Sequence, residues 1–147
     1  VKYMGFYRWV NGHSELLPQA KTWRLMSKKM GMGEGISKIF EVKNTDKYLN
    51  TLGFRNVFGQ KGLIIVNATN SSQLSTVAFK STGLERSANV QIYYANAEND
   101  AKTPVYEGLI KMDKGNKNLS VYIPKESVVG VILTDDKDWF DIFNITK

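Results

Sequence analysis

The sequence predicts a mainly β protein, an antiparallel β-sandwich of about eight strands preceded by one strand and one amphipathic α-helix. After Gly35 the apolar period changes from helical to alternating and does not change back. The alternating segments are short, and clusters such as Asn99-Asp100 and Lys114-Gly115-Asn116 punctuate them at the spacing of sandwiches and barrels. A chain of 147 residues is also long enough to bury one proper hydrophobic core.

In chain order, Phe6-Tyr7-Arg8-Trp9-Val10 is aromatic and β-prone and runs into the turn signal Asn11-Gly12. Pro18 suits the first turn of a helix, where its missing N–H has no partner to lose. Leu16, Ala20, Trp23, Met26 and Met30 then recur at helical spacing until Gly31 supplies a stop. The other face of this helix, with Lys21, Arg24, Lys28 and Lys29, is expected to be solvated, its late lysines facing the negative end of the helix dipole. Met32-Gly33-Glu34-Gly35 reads as a linker. The chain therefore divides into a strand–helix segment, 1–35, and a sandwich domain, 36–147.

Strands are expected at Ser37 to Lys43, Gly62 to Thr69, Leu74 to Ser81, Ala88 to Ala97, Val105 to Lys111, Asn118 to Ile123, Ser127 to Thr134 and Trp139 to Ile145. Thr45 to Lys61 is less regular, and its Leu52-Gly53-Phe54 and Phe58-Gly59 suggest a long loop or a poorly paired edge. Alternation is clearest where Val90, Ile92 and Tyr94 oppose Asn89, Gln91 and Tyr93. Pro124 falls between two strands, where a lost N–H costs little.

Hydrophobic residues at 42% and charged residues at 23% are ordinary for a globular protein. The longest apolar run, Ser127 to Leu133, is far too short for a membrane-spanning helix. The net charge of +6 is spread along the chain without a basic stripe interleaved with aromatics, so no nucleic acid partner is expected. There is no cysteine, which removes disulfides and thiolate metal sites. Val1 begins the sequence without a charged or apolar leader, so a secretory signal is expected to lie upstream or to have been removed.

No catalytic constellation emerges. His13, the single histidine, sits in a polar loop, and any histidine-based triad or metal centre would have to use it. Asp135, Asp136 and Asp138 share one turn but lack the glycine and distal glutamate of a calcium loop, and read as a solvated turn. A glycosidase pair needs two acids at controlled separation, and none of Glu41, Glu85, Glu107 or Glu126 stands out. No metal or cofactor is expected.

N-x-S/T sequons begin at Asn67, Asn70, Asn118 and Asn144, against about one and a half expected by chance from the composition. The excess points to a secreted glycoprotein. Among the aromatics, Tyr93 and Tyr106 face away from their apolar neighbours and are the candidates for exposed sugar-stacking residues.

The order of elements carries a resemblance: the strand with Tyr7-Arg8-Trp9, a loop, the helix ending Met-Ser-Lys-Lys-Met-Gly, and a sandwich that includes Val121-Tyr122-Ile123-Pro124-Lys125-Glu126-Ser127-Val128-Val129. It resembles the C-terminal region of retaining (β/α)₈-barrel glycoside hydrolases of the β-xylosidase and glucosylceramidase type. The resemblance implies that segment 1–35 is the last barrel strand and helix, and that Trp9 approaches the substrate as an aromatic wall. It also implies that the catalytic glutamates lie on earlier strands with no counterpart here. The expected role is a non-catalytic accessory sandwich of a secreted glycoside hydrolase, partnered by a catalytic barrel or by carbohydrate. The alternative is a stand-alone extracellular surface or assembly protein that binds a protein partner or polysaccharide.

Overall fold

The computed structural model describes residues 17–40, 42–43 and 46–135. The expected strands Phe6 to Val10 and Trp139 to Ile145 lie outside the described residues, as do Trp9, His13 and Asn144.

Among the described residues there is one helix, α1 (Pro18–Arg24), which continues into a wider turn over Leu25–Lys29. Eight strands follow among the described residues: β1 (Ile36–Phe40), β2 (Leu49–Asn56), β3 (Lys61–Asn67), β4 (Gln73–Phe79), β5 (Ser87–Ala95), β6 (Tyr106–Lys111), β7 (Lys117–Ile123) and β8 (Ser127–Asp135). All pairings are antiparallel, in a six-stranded sheet ordered β1-β2-β3-β8-β5-β6 and a two-stranded sheet β4-β7.

The six-stranded sheet has two covered faces, and the pattern of β8 explains why. Val129, Val131 and Leu133 are fully buried on one face while Gly130 and Ile132 are buried on the other, so this central strand reads as a continuous apolar run. The first face meets β4 and β7 in an aliphatic core built from Leu63, Ile65, Val90, Ile92, Val121 and Ile123. The second meets the helix, whose Leu25 and Met30 pack with Phe54, Ile64, Tyr93 and Ile132. Packing thus crosses the boundary at residue 35.

The segment Thr45 to Lys61 differs from expectation. Leu49–Asn56 is a full strand inside the sheet, paired with β1 on one side and β3 on the other. Its Asn, Gly and Arg content hides it from propensity, but tertiary contacts decide. Gly53 lies where a Cβ would come 2.9 Å from a Val42 methyl, and the Phe54 ring lies over Gly62 on the neighbouring strand, 2.2 Å from where a Cβ would be. Gly53, which weakens the strand signal of β2, and Gly62 across from Phe54 on β3 are what allow these close approaches.

Candidate functional site

The helix-bearing face is the most elaborately built surface of the described residues, and a glycine makes it. At Gly130 a Cβ would sit 2.8 Å from both Leu25 Cδ1 and Met30 Sδ, so the bare backbone of β8 is the seat of the helix. The expected stop at Gly31 is present with φ of +66°, and the Met30 N–H donates to Leu25 O at 2.9 Å in the wide last turn.

Asn56, at the end of β2, keys the helix end to the sheet. Its Nδ2 donates to Met30 O at 3.1 Å and to Gln60 Oε1 at 2.7 Å, while its Oδ1 accepts from the Phe58 and Gln60 N–H groups, each at 3.0 Å. Gln60 Nε2 passes the chain on to Thr134 Oγ1 on β8 at 3.0 Å. All three side chains are buried, and this network satisfies their polar atoms.

Two basic residues fix the helix to the β5–β6 loop. Lys21 Nζ donates to the Asn96 and Ala97 carbonyls, and Arg24 pairs with Asp100 Oδ2 at 3.0 Å. Burial pushes the Asp100 carboxyl up, but the Lys102 backbone N–H and then Arg24 outweigh it and hold its pKa below the ordinary value. The expectation of a wholly solvated basic face is therefore corrected: Lys28 is exposed, but Lys21 and Arg24 are fastening groups and Lys29 Nζ lies 6.0 Å from the Tyr93 ring centre.

Around the seated helix an apolar rim stays accessible. Trp23 is 45% and Ile39 62% exposed, and Met26, Met32, Leu52, Val66 and Val128 are only partly covered. Ile39 pairs directly with Phe54, which places it on this face.

Tyr93 corrects a sequence expectation. Alternation does turn it away from Ile92 and Tyr94, but the helix covers the face it turns to, leaving it 4% exposed. Burial first, and Glu107 second, push its phenol up to about 12. Tyr106, at the sheet's edge, is 48% exposed. Asn67 is buried, and its Nδ2 donates to Ser71 O and Pro124 O at 2.9 and 3.0 Å, so in the folded chain the nitrogen that would carry a glycan is a structural donor. Asn70 and Asn118 are exposed. Glu85, Glu107 and Glu126 are exposed on separate elements, and Glu107 accepts from Gln91 Nε2. Among the described residues no three acidic or histidine side chains gather as for a metal ion, and no helix is long and apolar enough to cross a membrane.

On the opposite face a cleft of about 520 Å³ opens between β4 and the inner side of β2 and β3. Leu49, Leu63, Val77 and Phe79 contribute apolar lining, and Lys43, Lys61 and Lys80 also line it.

This architecture is that of a β-rich region found within glycoside hydrolases, which bears out the resemblance read from element order. A GH30 endoxylanase from Clostridium papyrosolvens superposes with a TM-score of 0.61 and 9% identity over 82% of this chain. A GH30 subfamily 8 xylanase from Clostridium acetobutylicum gives 0.61 and 12% over 85%, and a GH44 xyloglucanase from Paenibacillus polymyxa gives 0.58 and 11% over 79%. The chain spans only 28%, 30% and 23% of those three proteins. At such identities the likeness is one of fold. No protein-family model matches the sequence, and no curated protein matches it.

Proposed function

We propose that the chain is the non-catalytic accessory sandwich of a secreted glycoside hydrolase, and that its helix-bearing face holds the sandwich against a catalytic barrel. The observation that carries this reading is the asymmetry of coverage: about four fifths of this chain superposes on roughly a quarter of each hydrolase. The accessible rim of Trp23, Met26, Ile39 and Leu52 supports it, because apolar surface of this kind is usually covered by a partner. Trp9 is proposed as the residue that reaches the substrate, Tyr106 as a sugar contact on the sandwich, and Asn70, Asn118 and Asn144 as glycan acceptors.

In this role the isolated chain leaves aryl glycosides intact, and turnover by the purified chain would overturn the proposal. In the parent protein, Trp23→Asp with Ile39→Asp is expected to loosen the barrel from the sandwich, read as earlier proteolytic release. The second reading, a stand-alone surface protein, draws on the coverage of Leu25 and Met30 by the chain's own sheet. Under that reading the double substitution leaves release unchanged.

A further inference from the structure

The outer face of the β4–β7 sheet sets its side chains out in register. Ala78 pairs with Asn118, Thr76 with Ser120 and Leu74 with Tyr122, and all six are exposed, while the alternate residues Val77, Phe79, Val121 and Ile123 turn inward to the aliphatic core. Leu74 at 74% and Tyr122 at 52% exposure form an apolar cross-strand pair toward one end of this strip, and Asn118 opens a sequon toward the other. We propose that Leu74 and Tyr122 are the resting platform of the chain's own N-glycan, carried by Asn118.

This placement rests on Asn118 being a glycan acceptor, as proposed above. Attachment joins Asn118 Nδ2 to the anomeric carbon of the first sugar, with the lipid diphosphate of the donor as leaving group and one amide proton lost. From Asn118 to Tyr122 the strand rises about 14 Å, a span that a core of a few sugar rings covers. The route passes Thr76 and Ser120, whose hydroxyls donate to and accept from sugar hydroxyls, and it ends on a tyrosine ring and a leucine, which suit the apolar C–H face of a pyranose. None of the six residues carries a charge, which fits a neutral oligosaccharide. The platform is held from behind, because the Tyr94 hydroxyl donates to Tyr122 O at 2.8 Å. Asn67 is no rival as the carrier, since its Nδ2 is committed to Ser71 O and Pro124 O.

Hydroxyl-radical footprinting of the full chain secreted from a eukaryotic host tests the contact, with peptide mapping of the same sample to read the occupancy of Asn118. With Asn118 occupied, Tyr122 should oxidise at about half the rate seen in Asn118→Gln, one of its two ring faces being covered, while Tyr106 on the six-stranded sheet reacts alike in both. Loss of the glycan should also lower the melting temperature by about 2 to 4 °C, a shift that Tyr122→Ser abolishes. An unoccupied Asn118 would sink the acceptor reading and the platform with it. An occupied Asn118 that leaves Tyr122 oxidation unchanged would sink the platform alone. Protection that survives Asn118→Gln but not Asn70→Gln would give the platform to the neighbouring glycan and overturn the assignment to Asn118.

Discussion

The two faces of the six-stranded sheet are buried by different means. Toward β4 and β7 the contact is aliphatic, with Val90, Val121, Ile123, Val129, Val131 and Leu133 all at or near zero exposure. Toward the helix it is keyed, with one glycine, Gly130, giving the approach and a polar chain through Asn56, Gln60 and Thr134 fixing the position. Aliphatic burial contributes most of the driving force and tolerates adjustment. A buried polar key contributes little net free energy but is costly when half of it is removed. The first face should therefore set the stability of the domain, and the second should set where the helix sits.

The largest effect is expected on the aliphatic side, where Leu133→Ala should cost about 2 to 5 kcal/mol in equilibrium denaturation, since both the side chain's transfer and the cavity left behind count. A loss much under 1 kcal/mol would show that this face is loosely packed. Gly130→Val should lift the helix off its seat at a cost of about 1 to 3 kcal/mol. Its distinguishing sign is a gain in proteolysis around Leu25 while β4–β7 stays protected, and uniform destabilisation would contradict the division between the faces. Asn56→Ala removes the acceptor for two backbone N–H groups and the donor to Met30 O, and should cost about 1 to 3 kcal/mol. Asn56→Asp tests the donor alone.

The titratable groups on the helix side give smaller effects. The pKa of Tyr93 is raised in the fold to about 12 from the ordinary phenol value of 10.0, so its contribution to stability is fully present below about pH 10 and is lost as the pH climbs toward about 12. Tyr93→Phe should flatten that alkaline loss in a pH series of melting temperatures. Asp100 is shifted the other way, so its contribution is present above the ordinary carboxylate range and fades as the pH falls through its lowered value. Because both partners are partly exposed, Arg24→Ala should cost no more than about 1 kcal/mol, and less at high salt.

Strands with strict alternation or a continuous apolar run were legible in the sequence, and β5 and β8 fall within two residues of expectation at each end. β2 was not legible, because Gly53 and the polar Asn50, Arg55 and Asn56 are explained only by neighbours distant in sequence. The helix and its glycine stop were legible from period and composition. Its seat was not, because Gly130 inside an apolar strand gives no hint of which layer approaches it. The same limit applies to Tyr93: the alternation read correctly, but which layer covers its side of the sheet is a matter of tertiary packing.

Whether the chain serves a larger hydrolase is most directly tested by the intact mass of the native polypeptide after glycan removal. The account predicts a mass exceeding 16.6 kDa by at least a barrel, on the order of 250 residues. A deglycosylated native mass of 16.6 kDa would contradict it and leave the stand-alone surface protein as the reading to pursue.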